Sequence, residues 1–398
     1  PMVIESQEVM VKVYERRSLI AGQMISGPAA IVDQNNTIVI DPDWKVNITE
    51  SYDVVIKRYK KKTQMTDVTT NASPIMLEVF NNLFMSIAEQ MGAVLEKTSS
   101  SVNIKERLDF SCAIFDSKGA LIANAPHMPI HLGSMGESVR AILTAHSASM
   151  RPGDVYFTNA PYNGGTHLPD ITVVAPVFDR CSEERVFFVA ARGHHADIGG
   201  ISPGSMPPNS RTIVEEGVLI DAAPLVREQQ FLEDQLRAAL SSADFPARNI
   251  DQNLADLRAQ LAACTKGSAE LHAMIDEFGL DGVQAYTGYV QRNAEEAVRR
   301  AIDKLSDGSF VAPMDDGSKI CVSVSIDKAA RSATIDFSGT SQQRSNNFNA
   351  PAAVCRAAVL YVFRTLVDDD IPLNEGCLKP LNLIIPEGSM LNPRPPAA

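Results

Sequence analysis

Short apolar stretches separated by turn residues mark the first 60 residues of the chain. Four of them, at residues 9–14, 29–32, 37–40 and 54–57, are rich in β-branched side chains, and Gly27-Pro28 and Asp41-Pro42-Asp43 punctuate the segment as turns. This pattern is typical of short strands. We therefore predict a small β-rich module over residues 1–62, followed by a linker at residues 63–73 that lacks apolar periodicity.

Helical periodicity starts after the linker, where Ser73-Pro74 precedes apolar residues spaced three and four positions apart. Proline is favoured at the first position of a helix, so a helix is predicted to start here. Further helices are predicted at residues 136–148 and 352–366. Residues 225–305 are predicted to be largely helical, with breaks at residues 244–246, 265–267 and 278–282.

Paired strand patterns in the same region predict antiparallel hairpins. Residues 109–115 pair with 120–123, residues 171–178 pair with 185–191 across a polar turn, and strand signals return at 319–326 and 332–337. The Pro- and Gly-rich segments 126–133 and 199–210 are predicted loops. The predicted fold class is α+β: a small β-rich N-terminal module, then a large mixed α/β body (residues 74–398) with antiparallel hairpins and a long helical segment.

Histidines are concentrated in one part of this body, since six of the seven fall between His127 and His195. Antiparallel pairing of the second hairpin places Asp170 opposite Gly193 or His194. His167, Asp170 and either His194 or His195 therefore converge at one end of the hairpin. Two imidazoles and a carboxylate suit a divalent metal such as Zn, Mn or Fe, although a polar network that fixes the loops is the alternative.

The neighbouring polar residues have more than one interpretation. Adjacent residues of an extended segment point to opposite faces, so one of His194 and His195 faces the site, and the residues alone leave open which. Asp197 is a ligand, a carboxylate that orients an imidazole, or a cap for the Gly-rich turn. His127 and His131 are predicted to line a substrate pocket or to have a structural role, and not to form a helical ligand pair.

Composition narrows the classes of function. A formal net charge of −12 and a pI near 5.1, without a basic run, argue against a nucleic-acid partner. No apolar stretch approaches the ~18 residues that span a bilayer, so we expect a cytoplasmic protein without membrane contact. The glycines match no nucleotide-binding fingerprint. The chain starts at Pro1 and stops in a Pro-rich segment, so we expect a part of something longer.

Five motifs, in order along the chain, carry a family resemblance. They are residues 107–111 (Arg-Leu-Asp-Phe-Ser), 127–135 (His-Met-Pro-Ile-His-Leu-Gly-Ser-Met), 159–170 (Asn-Ala-Pro-Tyr-Asn-Gly-Gly-Thr-His-Leu-Pro-Asp), 194–200 (His-His-Ala-Asp-Ile-Gly-Gly) and 336–340 (Asp-Phe-Ser-Gly-Thr). From residue 75 onward the chain resembles the hydantoinase B and oxoprolinase family, which the large subunits of acetone and acetophenone carboxylases share. The first 60 residues resemble the C-terminal end of the partner family, hydantoinase A.

The resemblance implies a function. An A-type tail fused to a B-type body is the arrangement of single-chain 5-oxoprolinases, which implies ATP-dependent hydrolysis of the cyclic amide 5-oxo-L-proline to L-glutamate, a reaction of glutathione metabolism. It further implies that the hydantoinase A-like portion of the same protein, outside this chain, binds ATP and Mg, and that the B-type part alone is inactive. We also expect a homo-oligomer.

The resemblance also assigns residues. In the related carboxylases a His-x-x-Asp pair and a later histidine bind the metal, which here implies His167, Asp170 and His194, although the doubled histidine leaves His195 as an alternative. We assign proton transfer to Asp197 or His195. Two other functions stay open: an ATP-dependent N-methylhydantoinase or carboxylase-type subunit, and a non-catalytic assembly module whose histidines brace an interface.

Overall fold

The computed structural model describes residues 2–4, 7–59, 72–125, 128–367 and 373–398. The chain divides into two compact units, residues 1–67 and 68–398. Most of the predicted linker, residues 63–71, lies outside the described residues. The strands of the first unit are β1 (Met2–Ile4), β2 (Gln7–Val9), β3 (Lys12–Glu15), β4 (Met24–Ser26), β5 (Ala29–Val32), β6 (Thr37–Ile40), β7 (Trp44–Ile48) and β8 (Val54–Arg58).

The first unit is β-rich, as the pattern of short apolar stretches predicts. Strand β5 pairs in parallel with β3 and antiparallel with β6, while β7 lies between β4 and β8 in a second sheet. Ile31, Ile40 and Val46 meet in its core. The strand at Trp44 was not predicted, because the turn residues before it obscured the alternation that starts there.

The second unit holds the remaining elements. Its strands are β9 (Phe110–Asp116), β10 (Leu121–Asn124), β11 (Val155–Thr158), β12 (Asp170–Phe178), β13 (Arg185–His194), β14 (Ala223–Arg227), β15 (Gln230–Phe231), β16 (Gly308–Pro313), β17 (Lys319–Asp327), β18 (Ser332–Asp336) and β19 (Leu381–Ile384). Its helices are α1 (Pro74–Thr98), α2 (Val102–Lys105), α3 (Pro129–His146), α4 (Ile213–Glu216), α5 (Glu233–Ser241), α6 (Ile250–Phe278), α7 (Leu280–Ile302) and α8 (Ala352–Thr365).

A central antiparallel sheet organises this unit. Among the described residues it has seven strands, in the order β10-β9-β13-β12-β11-β14-β15. Side chains alternate between its faces: Ile171 and Val173 join the core under α1 and α6, whereas Val174 and Phe188 join a second core under α3. Because both faces are covered, β12 and β13 are apolar nearly throughout.

A smaller sheet and a helix pair form the other part of the second unit. Strands β16, β17 and β18 are antiparallel, and β19 adds in parallel beside β18. Helices α7 and α8 contribute Val298 and Leu360 to the core with Ile335 of β18. Helix α8 also packs against α3, which joins this part to the central sheet. The α+β fold class is confirmed.

Three predicted boundaries are wrong, each for a tertiary reason. Residues 129–133 are not a loop, because Pro129 begins α3 at the position where a missing N–H is tolerated. Helix α6 continues through Gly267, where α1 approaches so closely that a Cβ would lie 2.4 Å from the Met91 sulfur. Residues 225–231 are strands, because Leu225 is buried in the central core.

Within the described ranges, no helix combines the length and apolar character that crossing a membrane requires.

The contact between α3 and α8 provides a test of packing. A Cβ on Gly133 would lie 2.3 Å from the Ala357 Cα, whereas one on Gly136 would meet only the end of the flexible Arg140 side chain at 3.3 Å. We expect Gly133→Ala to lower the free energy of unfolding by about 1–3 kcal/mol, because the helices must separate. Gly136→Ala is the matched control and should be neutral or stabilising by up to about 1 kcal/mol. Equal effects in urea unfolding would contradict this account.

Candidate functional site

The β12–β13 hairpin positions the first two residues of the site. Its observed register pairs Asp170 with His194, Thr172 with Arg192 and Ile171 with Gly193. The predicted convergence at this end of the hairpin is therefore confirmed. Because paired residues share a face of the sheet, Asp170 and His194 both lie on the side covered by α3.

The carboxylate of Asp170 is the centre of the cluster, and it is 1% exposed. His167 Nδ1 lies 3.0 Å from Oδ2, and His194 Nδ1 lies 3.4 Å from Oδ1. His131 Nε2 is 3.1 Å from Oδ2, and Thr166 Oγ1 donates a hydrogen bond to the same oxygen at 2.5 Å. The structure thus brings together His167, Asp170 and His194, with His131 behind them.

Opposing effects set the charge of these groups. Burial alone would raise the pKa of Asp170, but His167 and His131 outweigh burial and hold the pKa well below its usual range. Burial would lower the pKa of His167, yet the Asp170 carboxylate next to it raises that pKa overall. Asp170 is therefore an anion, and it attracts a proton or another cation to the space between the rings.

The geometry of the three side chains fits a metal ion. His167 Nδ1 is 3.0 Å from Asp170 Oδ2, and His194 Nδ1 is 3.4 Å from Asp170 Oδ1. One ligand atom from each of the three residues lies within 4.8 Å of the others. Among the described residues, Asp170 Oδ1 accepts no hydrogen bond although it is buried. A bound cation would satisfy this oxygen. The cluster of His167, Asp170 and His194 is thus a possible metal site.

The two consecutive histidines point to opposite faces of the sheet. His195 is fully buried on the α6 side, where its Nε2 donates to Gln260 Oε1 and its Nδ1 accepts from Asn253 Nδ2, both at 3.1 Å. Gln260 Nε2 donates to two strand carbonyls, which fixes the amide and hence the tautomer of the ring. Burial also lowers the pKa of His195, so the ring is neutral. Its predicted role in proton transfer stays a prediction.

Asp197 lies in the turn after β13. Its carboxylate accepts hydrogen bonds from the N–H groups of Gly199 (2.9 Å) and Gly204 (3.0 Å) and pairs with Arg248 at 2.8 Å. Partial burial would raise its pKa, but these donors lower it overall. This is the arrangement of a cap for the Gly-rich turn, one of the three roles considered from the sequence. A catalytic role of Asp197 remains untested.

Of the two histidines predicted to line a substrate pocket, His131 lies among the described residues. His127 lies outside the described residues. His131 lies in the first turn of α3, and its buried ring donates from Nε2 to Asp170 while Nδ1 accepts from Ser111 Oγ at 3.0 Å. This contact orients Asp170, and a contact of His131 with substrate stays a prediction.

Three polar residues at the site were not singled out from the sequence. Asp109 Oδ2 lies 3.6 Å from His194 Nδ1, and Thr166 contacts Asp170. Arg192 is fully buried on the same face, where it donates to hydroxyl groups of β12 and α3, and burial lowers its pKa to about 10. Asp109 could have been found from the Arg-Leu-Asp-Phe-Ser motif, because it immediately precedes β9, the strand that pairs with β13.

A cavity of about 390 Å³ opens next to the cluster. His167 lies on its wall, together with Tyr162 and Glu216, and much of the remaining lining is apolar. Loop residues 205–208 form one side, held by Ser205, whose hydroxyl donates to Gly199 O and accepts from Ile198 N. Its size and its mixture of apolar walls with a few polar groups are typical of a site for a small molecule.

Comparisons with known proteins identify the family and relatives of the chain. The family model described as Hydantoinase B/oxoprolinase matches residues 73–398. The chain is 45% identical to the 5-oxoprolinase of Dictyostelium discoideum over 96% of its own length and 30% of the relative, and 45% identical to 5-oxoprolinase 1 of Arabidopsis thaliana over 95% and 32%. It spans about a third of these curated relatives.

A solved structure shares the fold of the second unit. The ATP-dependent caprolactamase from Pseudomonas jessenii superposes with a TM-score of 0.74 at 28% identity, over 82% of this chain and 56% of that one.

We predict that His167→Ala weakens binding of Zn²⁺ or Mn²⁺ by at least about tenfold, because one of three ligand atoms is lost while Asp170 keeps its other partners. Titration of the metal-free chain by calorimetry measures this. His272→Ala is a suitable control, since His272 Nε2 lies 2.9 Å from Phe178 O at the other end of the hairpin. Unchanged affinity in His167→Ala would contradict the assignment.

We also predict that metal affinity falls as the pH decreases. A metal binds the neutral imidazole, so a proton on His167 competes with the metal. Because Asp170 raises the pKa of His167, this competition begins at a pH above about 6.5, the usual pKa of histidine, and grows as the pH falls. Asp170 stays ionised because its own pKa is lowered. The log of the affinity against pH should have a shallower slope in His167→Ala than in the wild type. Parallel slopes would contradict the prediction.

Proposed function

Because the chain belongs to the Hydantoinase B/oxoprolinase family, we propose that it is the ring-opening part of an ATP-dependent 5-oxoprolinase. The reaction converts 5-oxo-L-proline, ATP and water to L-glutamate, ADP and phosphate. ATP and Mg bind to a hydantoinase A-like part of the same protein, of which residues 1–62 are the end. The B-like part, residues 74–398, acts on the activated lactam.

The main support is the cluster of His167, Asp170 and His194 beside a cavity, in a chain that is 45% identical to named 5-oxoprolinases over nearly its whole length. A cyclic amide is a poor target for water, because its leaving nitrogen is basic and its carbonyl carbon is weakly electrophilic. A site that opens it must stabilise negative charge on the carbonyl oxygen. The buried cluster is suited to hold the cation that does this.

The side chains have distinct roles in this proposal. His167, Asp170 and His194 would hold a divalent ion, with Zn, Mn and Fe as the candidates for this donor set. When bound, such an ion supplies Lewis-acid polarisation of the carbonyl group. His131 orients Asp170 from behind, and Thr166 does so from the side, through the hydrogen bonds that both donate to Oδ2. Asp109 lies where it can orient His194.

A second substrate class is supported by the structural comparison. The caprolactamase acts, by its name, on a larger lactam with ATP, and it is 28% identical to this chain. The cavity of about 390 Å³ is large enough for either ring class. The greater identity to 5-oxoprolinases favours 5-oxoproline. Assays with 5-oxoproline, hydantoin and caprolactam under the same conditions distinguish the substrates.

The test uses the full-length protein that contains this chain. We expect ATP-dependent glutamate release from 5-oxo-L-proline. It should be lost from metal-free protein, which is protein stripped by a chelator and then supplied with Mg only, and restored by one of the candidate ions. His194→Ala should lower kcat by at least about 100-fold, because charge stabilisation at the carbonyl is lost. His272→Ala should keep near wild-type activity. Undiminished glutamate release by metal-free protein would refute the proposal and favour an assembly role for the histidines.

A further inference from the structure

Glu216 places a carboxyl group on the wall of the cavity, and the roles proposed above do not include it. It is the last residue of α4, the short helix whose start is secured by a capping box of Thr212 and Glu215. Its backbone is fixed from the other side by Gly200, where a Cβ would lie 2.6 Å from the Glu216 carbonyl oxygen. The side chain therefore has a defined direction relative to the cavity.

The surroundings of this carboxyl group favour its protonated form. Oε1 accepts a hydrogen bond from Ser210 Oγ at 2.8 Å, and no ion pair to Glu216 forms within the described residues. Apolar residues such as Ile213 and Pro207 line the same cavity. Burial raises the pKa of Glu216. The hydrogen bond from Ser210 and the charge of His167 lower this pKa by less than burial raises it, so the pKa lies above its usual value. A carboxylic acid of this kind can donate a proton.

Other polar side chains of the cavity are less suited to this role. The Tyr162 hydroxyl donates to Ala397 O, and burial raises its pKa to about 12. Asn347 Nδ2 donates to Pro207 O at 3.0 Å, and Asn349 Nδ2 donates to backbone carbonyls. Of the titratable side chains on the described wall, His167 belongs to the metal cluster, which leaves Glu216.

We propose that Glu216 is the general acid that protonates the leaving nitrogen of the cyclic amide. This inference rests on the proposed function, since it needs a lactam in the cavity with its carbonyl group toward the His167 side. Glu216 and His167 line the same cavity, so a small ring can contact both. The two groups then act on the two ends of the same C–N bond, one at the carbonyl and the other at the nitrogen.

The step balances with water and the phosphoryl group that ATP supplies. Water adds across the C=N bond of the O-phosphorylated lactam, with its oxygen going to carbon and one proton to nitrogen, and the C–N bond then breaks with its electron pair moving to nitrogen. The nitrogen takes the proton of the Glu216 carboxylic acid, which leaves a carboxylate. The second proton of the attacking water returns to that carboxylate, so Glu216 ends the cycle as it began. This leaves an acyl phosphate, which a second water hydrolyses to the carboxylate and inorganic phosphate. Without the acid, nitrogen would leave as an unstable amide anion.

The experiment compares three variants of the full-length protein on 5-oxo-L-proline. Glu216→Gln keeps the shape and the hydrogen bond from Ser210 but removes the proton. We expect it to lower kcat by about 100-fold or more with KM changed less than about threefold, because the acid acts in the transition state. Glu216→Asp should recover part of the loss. Glu89→Gln is the matched control, since Glu89 is exposed on α1 and does not line the cavity, and its activity should match the wild type.

Metal content and thermal unfolding midpoint, measured on each variant, separate a catalytic from a structural effect. Both should stay at wild-type values in Glu216→Gln. The inference is overturned if Glu216→Gln keeps more than about a third of wild-type kcat, or if Glu89→Gln loses as much as Glu216→Gln. If the wild type opens hydantoin or caprolactam but not 5-oxoproline, the substrate assignment fails and the same comparison on that ring decides the role of Glu216. If it opens none of them, both proposals fail.

Discussion

The charge on Asp170 is the interaction on which this part of the molecule depends. A carboxylate that is 1% exposed would be neutral without compensation, because burial penalises its ionised form. His131, His167 and Thr166 compensate it from three sides. These partners come from α3 and from the loop before β12, so the same contacts that keep Asp170 ionised also tie the helix and the loop to the end of the central hairpin.

The alternation of side chains along β13 divides the polar residues at its end into two functions. His194 faces Asp170, whereas His195 enters a network with Gln260 and Asn253 that attaches α6 to the opposite face of the sheet. Asn253 also donates to the Asp197 carbonyl, and the Asp197 side chain holds the turn that leads to the cavity wall. One side of the strand therefore carries the candidate metal site, and the other side fixes the backbone around that site.

The hairpin was predictable from the sequence, because the polar turn and the two apolar strands place Asp170 opposite Gly193 or His194. The observed register pairs Asp170 with His194. The choice between His194 and His195 was not predictable, since it depends on which face α3 covers. His131 could not be placed either, because its segment contains proline and glycine. It is helical since Pro129 stands at the start of α3, and Gly133 lets α8 pack closely against that helix. The local pattern thus predicted the hairpin, which depends on two adjacent strands. It failed for features that depend on packing against distant helices.

The two oxygens of Asp170 differ, and the difference links binding to stability. Oδ2 has His131, His167 and Thr166 as neighbours, whereas buried Oδ1 lacks a hydrogen bond among the described residues and has His194 Nδ1 3.4 Å away. An unsatisfied buried acceptor costs about 1–3 kcal/mol. A cation bound between Oδ1 and His194 would remove that cost in the folded state only, so metal binding and folding would stabilise each other.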